Sequence, residues 1–146
     1  MKSLGLGAFA LTLVVAFAAH GGGDAAKKKE LAVLEGVWKI TAFETPEGKN
    51  ADLEGATLAF NKDGKTVLFT HNGQEKKGEF KFNPAGKPKE IDISPEDENK
   101  TFEGIYRIEK NKMTLCLDPG SGDGRPNEFA VKEGKKYVLI TLEKGK

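Results

Sequence analysis

Downstream of Gly36 the chain alternates apolar and polar residues in short runs, each closed by a turn signal. Residues 37–43 place Trp38, Ile40 and Ala42 on one face and Lys39 and Thr41 on the other, the period of two expected of a half-buried strand. Residues 57–61 and 65–71 repeat the pattern on either side of Lys62-Asp63-Gly64, where an Asp-Gly pair suits the positive backbone angles of a tight hairpin. Asn72-Gly73 uses the same chemistry and leads into residues 74–82, whose Phe80 and Phe82 sit two apart and so share the inward face. Residues 90–93 alternate strictly and stop at Ser94-Pro95. Residues 101–109 and 112–117 form a further hairpin about Lys110-Asn111, with Phe102, Tyr106 and Ile108 sharing one face and Met113, Leu115 and Leu117 another. The last hairpin is read as residues 127–132, a turn at Glu133-Gly134, and a return through 137–142.

Eight or nine strands in an uninterrupted meander leave a sheet with two open edges, and closing it removes both. The pattern therefore predicts an all-β domain, an eight- to nine-stranded antiparallel up-and-down barrel over residues 31–144. A two-sheet sandwich satisfies the same alternation and stays open as the alternative. Upstream of Gly36 the period changes: Leu31, Val33 and Leu34 predict a short N-terminal helix ended by that glycine.

The first nineteen residues belong to neither pattern. Lys2 is followed by an uncharged apolar run of 16 residues, from Leu4 to Ala19, ending in Ala16-Phe17-Ala18-Ala19. A run short of the roughly 20 residues that span a bilayer, with small residues at its end, reads as a removable export signal over residues 1–19 and not as a membrane anchor. Residues 20–30, HGGGDAAKKKE, read as a flexible tail, since three lysines fall below the roughly 4 to 8 that mark lipid recognition. The expected location is the periplasm or cell envelope, with no membrane-spanning segment after signal removal.

Charge and cysteine content narrow the picture further. Without Lys2 the 23 basic and 22 acidic residues become 22 against 22, a balance that argues against a nucleic-acid partner. With one cysteine there is no intramolecular disulfide, so the core must hold the domain unless Cys116 pairs with another chain.

Several short motifs occur together and in order: Leu34-Glu35-Gly36-Val37-Trp38, Pro88-Lys89-Glu90-Ile91-Asp92, Gly104-Ile105-Tyr106, Leu115-Cys116 and Arg125-Pro126-Asn127-Glu128-Phe129. The first resembles the L-x-G-x-W opening of lipocalin-like domains. The set resembles a family of small exported lipocalin-like domains expanded in planctomycete bacteria, over about residues 31–142. The resemblance implies a lipocalin-like barrel and carries no catalytic residues to transfer. It also implies a basic residue packed over the early tryptophan. The final strand has Glu143-Lys144 and no arginine there, so Arg125, in the preceding loop, is the candidate.

Candidate chemistry is sparse. Cys116 sits between Leu115 and Leu117, and the two histidines, His20 and His71, fall in a tail and at a hairpin, so the cysteine reads as structural. The segment 118–124, DPGSGDG, lacks a calcium loop's ligands: the third and fifth positions are Gly120 and Gly122 and the twelfth is Phe129. It reads as an inter-strand loop that could gate a barrel mouth. Asn99-Lys100-Thr101 matches a glycosylation acceptor, relevant only in a eukaryotic secretory context. Among the aromatics Trp38, Phe60, Phe69, Phe80, Phe82 and Phe102 read first as core and second as pocket lining.

The expectation is a non-enzymatic exported protein that needs no cofactor and no metal. It would hold a small apolar or amphiphilic ligand in the barrel, with Trp38, Phe80, Tyr106 and Arg125 as candidate ligand-binding residues. Arg125 is read chiefly as closing one barrel end, by pairing with Glu128 or stacking on Trp38. The alternative is an envelope interaction or structural module with a solid core and an envelope protein partner. It rests on the last strand, where Val138, Ile140 and Leu142 alternate with Tyr137, Leu139 and Thr141, leaving both faces largely apolar.

Overall fold

A computed structural model of the chain describes residues 15–145. The expected export signal lies outside the described residues except for its last five positions, which begin a helix. That helix, α1 (Val15–Leu34), is followed by β1 (Gly36–Thr45), β2 (Gly48–Lys49), a 3-10 turn (Ala51–Leu53), β3 (Thr57–Phe60), β4 (Thr66–His71), β5 (Gln74–Asn83), β6 (Lys89–Pro95), β7 (Phe102–Glu109), β8 (Lys112–Asp118) and β9 (Val138–Lys144).

Each strand from β3 to β9 pairs antiparallel with its neighbour in sequence, β1 pairs with β3, and β9 returns to β1 through Trp38↔Lys144 to Glu44↔Leu139. The result is a closed eight-stranded up-and-down barrel, with β2 as an extra strand on the end of β1. Closure through β1 and β9 rules out the sandwich. The turns use the expected chemistry: Asn72 (φ 52°) and Gly73 (φ 78°) both adopt the left-handed angles that a two-residue hairpin needs.

The interior follows the alternation. Trp38, Ile40, Phe60, Phe80, Ile91, Tyr106, Met113 and Leu115 form one continuous core, with Phe60 and Phe80 edge-to-face at 5.0 Å between ring centres. One expected position is wrong. The register of β1 against β9 shifts between Ile40 and Ala42, a bulge that inserts Thr41. Beyond an extra residue the alternation reverses, so Phe43 turns inward with its partner Ile140 and Ala42, opposite Thr141, does not.

Two segments depart more substantially. Residues 20–30, expected as a flexible tail, are helical in α1. Ala25 to Leu31 are all strong helix formers, and Glu30, Leu31 and Leu34 are held by the barrel. The expected strand at 127–132 does not form. β8 pairs directly with β9, Cys116 opposite Leu139, and β9 also occupies the β1 edge, so no ladder remains for another strand. Residues 119–137 instead run over the outside of the barrel as a strap, packing Phe129 and Tyr137 on Ile105, Cys116 and Leu139. This cover accounts for the apolar outer face of the last strand, and removes the argument for a partner-binding surface there.

The strap's first turn is organised by Asp118, only 4% exposed, whose carboxylate accepts hydrogen bonds from Ser121 N (2.9 Å), Ser121 Oγ and Gly124 N (3.0 Å). Burial alone would raise its pKa, but these bonds favour the charged form and together hold it below the ordinary value. A depressed folded-state pKa contributes stability above the unfolded value of about 3.9 and loses it as pH falls through the folded value. Asp118→Asn should therefore cost about 1–3 kcal/mol in urea denaturation at pH 6, with the gap to wild type closing below about pH 4. A gap unchanged down to pH 2 would show that the carboxylate charge is not what holds the turn.

Candidate functional site

The barrel's two ends are built differently. At one end α1 acts as a plug. A helix terminus leaves its last carbonyls without intrahelical partners, and here the barrel supplies them: Trp38 Nε1 donates to the Leu34 carbonyl at 2.8 Å and Lys144 Nζ to that of Val33 at 2.6 Å. The lysine charge also complements the negative end of the helix dipole. Leu31 and Leu34 pack on the core, and the Glu30 carboxylate accepts from Tyr106 OH at 2.7 Å and from Lys89 Nζ at 3.0 and 3.1 Å. Burial, with the neighbouring Glu30, pushes the Tyr106 phenol well above its usual pKa, so it remains a neutral donor.

The other end is open. A cavity of about 280 Å³ enters the barrel there, with Phe43, Leu58, Phe69, Ile93, Phe102 and Ile140 among its walls and the charged residues Lys76 and Glu98 also lining it. Its volume approaches the roughly 300 Å³ at which small-molecule sites begin. Leu53 reaches the mouth from the 3-10 turn, which His71 secures by donating from Nε2 to the Asp52 carbonyl at 2.7 Å. At the back, Gly78 is required: a Cβ there would lie 2.8 Å from the Ser94 carbonyl oxygen, and its absence leaves the wall thin.

None of the four residues expected to bind a ligand lines this cavity. Trp38 and Tyr106 point inward as their spacing required but lie at the plugged end, under α1. Phe80 packs within the core against Phe60. Arg125 neither stacks on Trp38 nor pairs with Glu128. From the strap it donates to the Gly104 carbonyl and pairs with Asp92 Oδ1, each at 2.8 Å, clamping the strap to the outer wall of β6 and β7. Lys144 is the cation over Trp38, 5.2 Å from the ring centre. The basic residue over the early tryptophan is therefore Lys144 of the last strand and not Arg125 of the strap.

Of the residues that do line the cavity, Phe69 and Phe102 stood out in the sequence as aromatics able to line a pocket. Phe43 was hidden by the bulge, and Leu53 and Pro119 by lying outside any strand. Pro119 is where the glycine-rich loop touches the mouth; the rest of that loop leads to the strap.

Cys116 is fully buried beneath the strap, its Sγ 3.7 Å from the Ala130 carbonyl oxygen. Burial pushes its thiol pKa up, against the thiolate that a nucleophile requires. Among the described residues no three His, Cys, Asp or Glu side chains gather in a way that could hold a metal ion. No helix among them is long and apolar enough to cross a membrane. Fold and site together define a closed β-barrel with one plugged end and one open, apolar mouth. Comparison of the chain with protein-family models, curated proteins and solved structures gave no match.

Proposed function

We propose that this protein is a non-enzymatic carrier that holds a small apolar or amphiphilic molecule in the open mouth of its barrel. The observation that carries the reading is the cavity itself: an eight-stranded barrel can be filled by side chains, yet here about 280 Å³ opens among apolar walls. Such a surface gains by being covered, at about 0.8 kcal/mol for each methylene it buries. Export to the periplasm or envelope is part of the proposal and rests on the apolar run and small-residue end of residues 1–19. So is kinship with small exported lipocalin-like domains, which rests on the ordered motifs.

The test is saturable binding of an environment-sensitive apolar dye, followed by fluorescence, to wild type and to Leu53→Trp. Leu53 is half-buried at the mouth, and an indole there occupies the entrance while leaving the core untouched. Dye affinity should fall by about tenfold or more, the equivalent of two lost methylene contacts. Absence of one-site binding in the wild type, or equal binding by the variant, would remove the reading.

A further inference from the structure

Charge that balances along the chain is separated by the fold. In an up-and-down barrel successive connections alternate between the two ends, and here they sort by sign. At the plugged end residues 24–35, 61–65, 84–88, 110–111 and 144–145 carry eight lysines and four acids; at the open end residues 46–56, 72–73 and 96–101 carry two lysines and six acids. Among the plugged end's charges Lys144 is committed to the helix terminus, Glu30 is paired with Lys89, and Asp63 accepts from the amides of its own turn. Seven lysines remain: Lys27, Lys28 and Lys29 on α1, Lys62 and Lys65 between β3 and β4, Lys87 between β5 and β6, and Lys110 between β7 and β8. All are exposed, and none forms an ion pair among the described residues. Lys27 Nζ stands 5.8 Å from the centre of the Phe82 ring and Leu31 packs beside Gly64, so α1 lies across the barrel end and brings its lysines among those of the turns. The two large apolar side chains that stand exposed among the described residues, Val33 (44%) and Val37 (49%), are at this same end.

We propose that the plugged end docks on an anionic lipid bilayer, with the open mouth turned away into the aqueous phase. Seven exposed lysines fall within the roughly 4 to 8 that mark recognition of anionic lipid, where the three of residues 27–29 alone do not. The acidic open end is repelled by the same surface, so the field of the bilayer orients the molecule as well as attracting it. The layout favours a bilayer over a soluble polyanion. The lysines are spread over four separate segments around one end and not lined along a groove, and Val33 and Val37 add the apolar contact that an interfacial helix uses. Nothing in this docking depends on what the cavity holds, since every group it uses lies at the opposite end.

The test is co-sedimentation of the full chain, at limiting lipid, with vesicles of phosphatidylcholine alone and of phosphatidylcholine containing phosphatidylglycerol. Any contribution of the apolar residues 4–19 is common to both vesicles and cancels in the ratio of the two partition coefficients. Each lysine near an anionic surface raises partition roughly fivefold, so the ratio should reach about a hundred or more at low salt and fall towards one at about 0.5 M. The combined substitution Lys27→Gln, Lys28→Gln, Lys29→Gln should lower it by about tenfold or more, and so should Lys62→Gln, Lys65→Gln, Lys87→Gln. Lys49→Gln, Lys76→Gln, Lys100→Gln removes the same charge from the open end, where the ion pairs of Lys76 and Lys100 are exposed and worth little; it should leave the ratio within about twofold. Equal partition into the two vesicles overturns the docking. A loss confined to the first variant overturns the shared surface, leaving only three helix lysines, and an equal loss in the open-end variant shows that net charge and not the plugged end is read. Displacement from the anionic vesicles by polyphosphate at equal anionic charge overturns the bilayer as the partner.

Discussion

Trp38→Ala is expected to destabilise the protein by about 3–5 kcal/mol, enough to lower its melting temperature by roughly 10–20 °C for a domain of this size. Two losses combine. The side chain has no exposed surface, so its removal leaves a cavity among Ile40, Leu58, Leu34 and their neighbours in the core. It also withdraws the indole N–H from the Leu34 carbonyl, one of the two bonds that seat the helix terminus on the barrel. Trp38→Phe separates them, since it keeps most of the ring and loses the donor; its cost should be about 1–2 kcal/mol. Val37→Ala, one residue away and 49% exposed, is the control and should stay within about 0.5 kcal/mol of wild type. Chemical denaturation followed by circular dichroism reads all three. A Trp38→Ala protein within about 1 kcal/mol of wild type would show that the plugged end is loosely packed and that α1 is not part of the folded unit.

Gly104→Val should be nearly as damaging for the opposite reason. Gly104 faces the interior of β7, opposite Leu117, and even a Cβ there would lie 2.6 Å from the Cys116 carbonyl oxygen. The nearby Leu117 side chain could move, but the Cys116 oxygen belongs to the barrel's own ladder and cannot move without breaking it. Overpacking of this kind costs about 1–3 kcal/mol and sometimes more, and the two additional methyl groups of valine place this site at the upper end. The strap is affected too, because Arg125 donates to the Gly104 carbonyl. Thermal melts should show a lowered transition in Gly104→Ala and a lower one in Gly104→Val. Faster hydrogen exchange at the amides beneath the strap, such as those of Ile105 and Cys116, should accompany it. A Gly104→Ala protein as stable as wild type would mean that β7 and β8 can separate at no cost, and that the strap does not depend on their spacing.

Gly104 also shows how sequence and structure divide the information. As a glycine between Glu103 and Ile105 it suggests close packing, and the structure supplies the oxygen that requires it. The same division holds at the site. Phe69 and Phe102 can be recognised as inward aromatics from their alternation, and both line the cavity. Trp38, Phe80 and Tyr106 are inward by the same alternation, and none does. A period of two specifies which face of the sheet a side chain occupies and says nothing about how far along the barrel it lies. That second coordinate comes from the pairing of β1 with β9 and from the helix that caps one end.

The strand pattern is thus legible in the residues alone: the alternating runs, the glycine turns at residues 64 and 73, and the uninterrupted meander whose open edges closure into a barrel removes. These are local properties, set by backbone angles and by burial of every second side chain. The remaining features arise only from contacts between segments distant along the chain. The Thr41 bulge brings Phe43 into the cavity because β9 offers one residue fewer than β1 across that stretch. Residues 127–132 become a strap because β9 has already taken both available edges. Residues 20–30 remain helical because Glu30, Leu31 and Leu34 find partners on strands distant in sequence. The open mouth exists because α1 closes only the opposite end. Each of these depends on which distant groups compete for the same hydrogen bonds and the same apolar surface, a competition that no local pattern encodes.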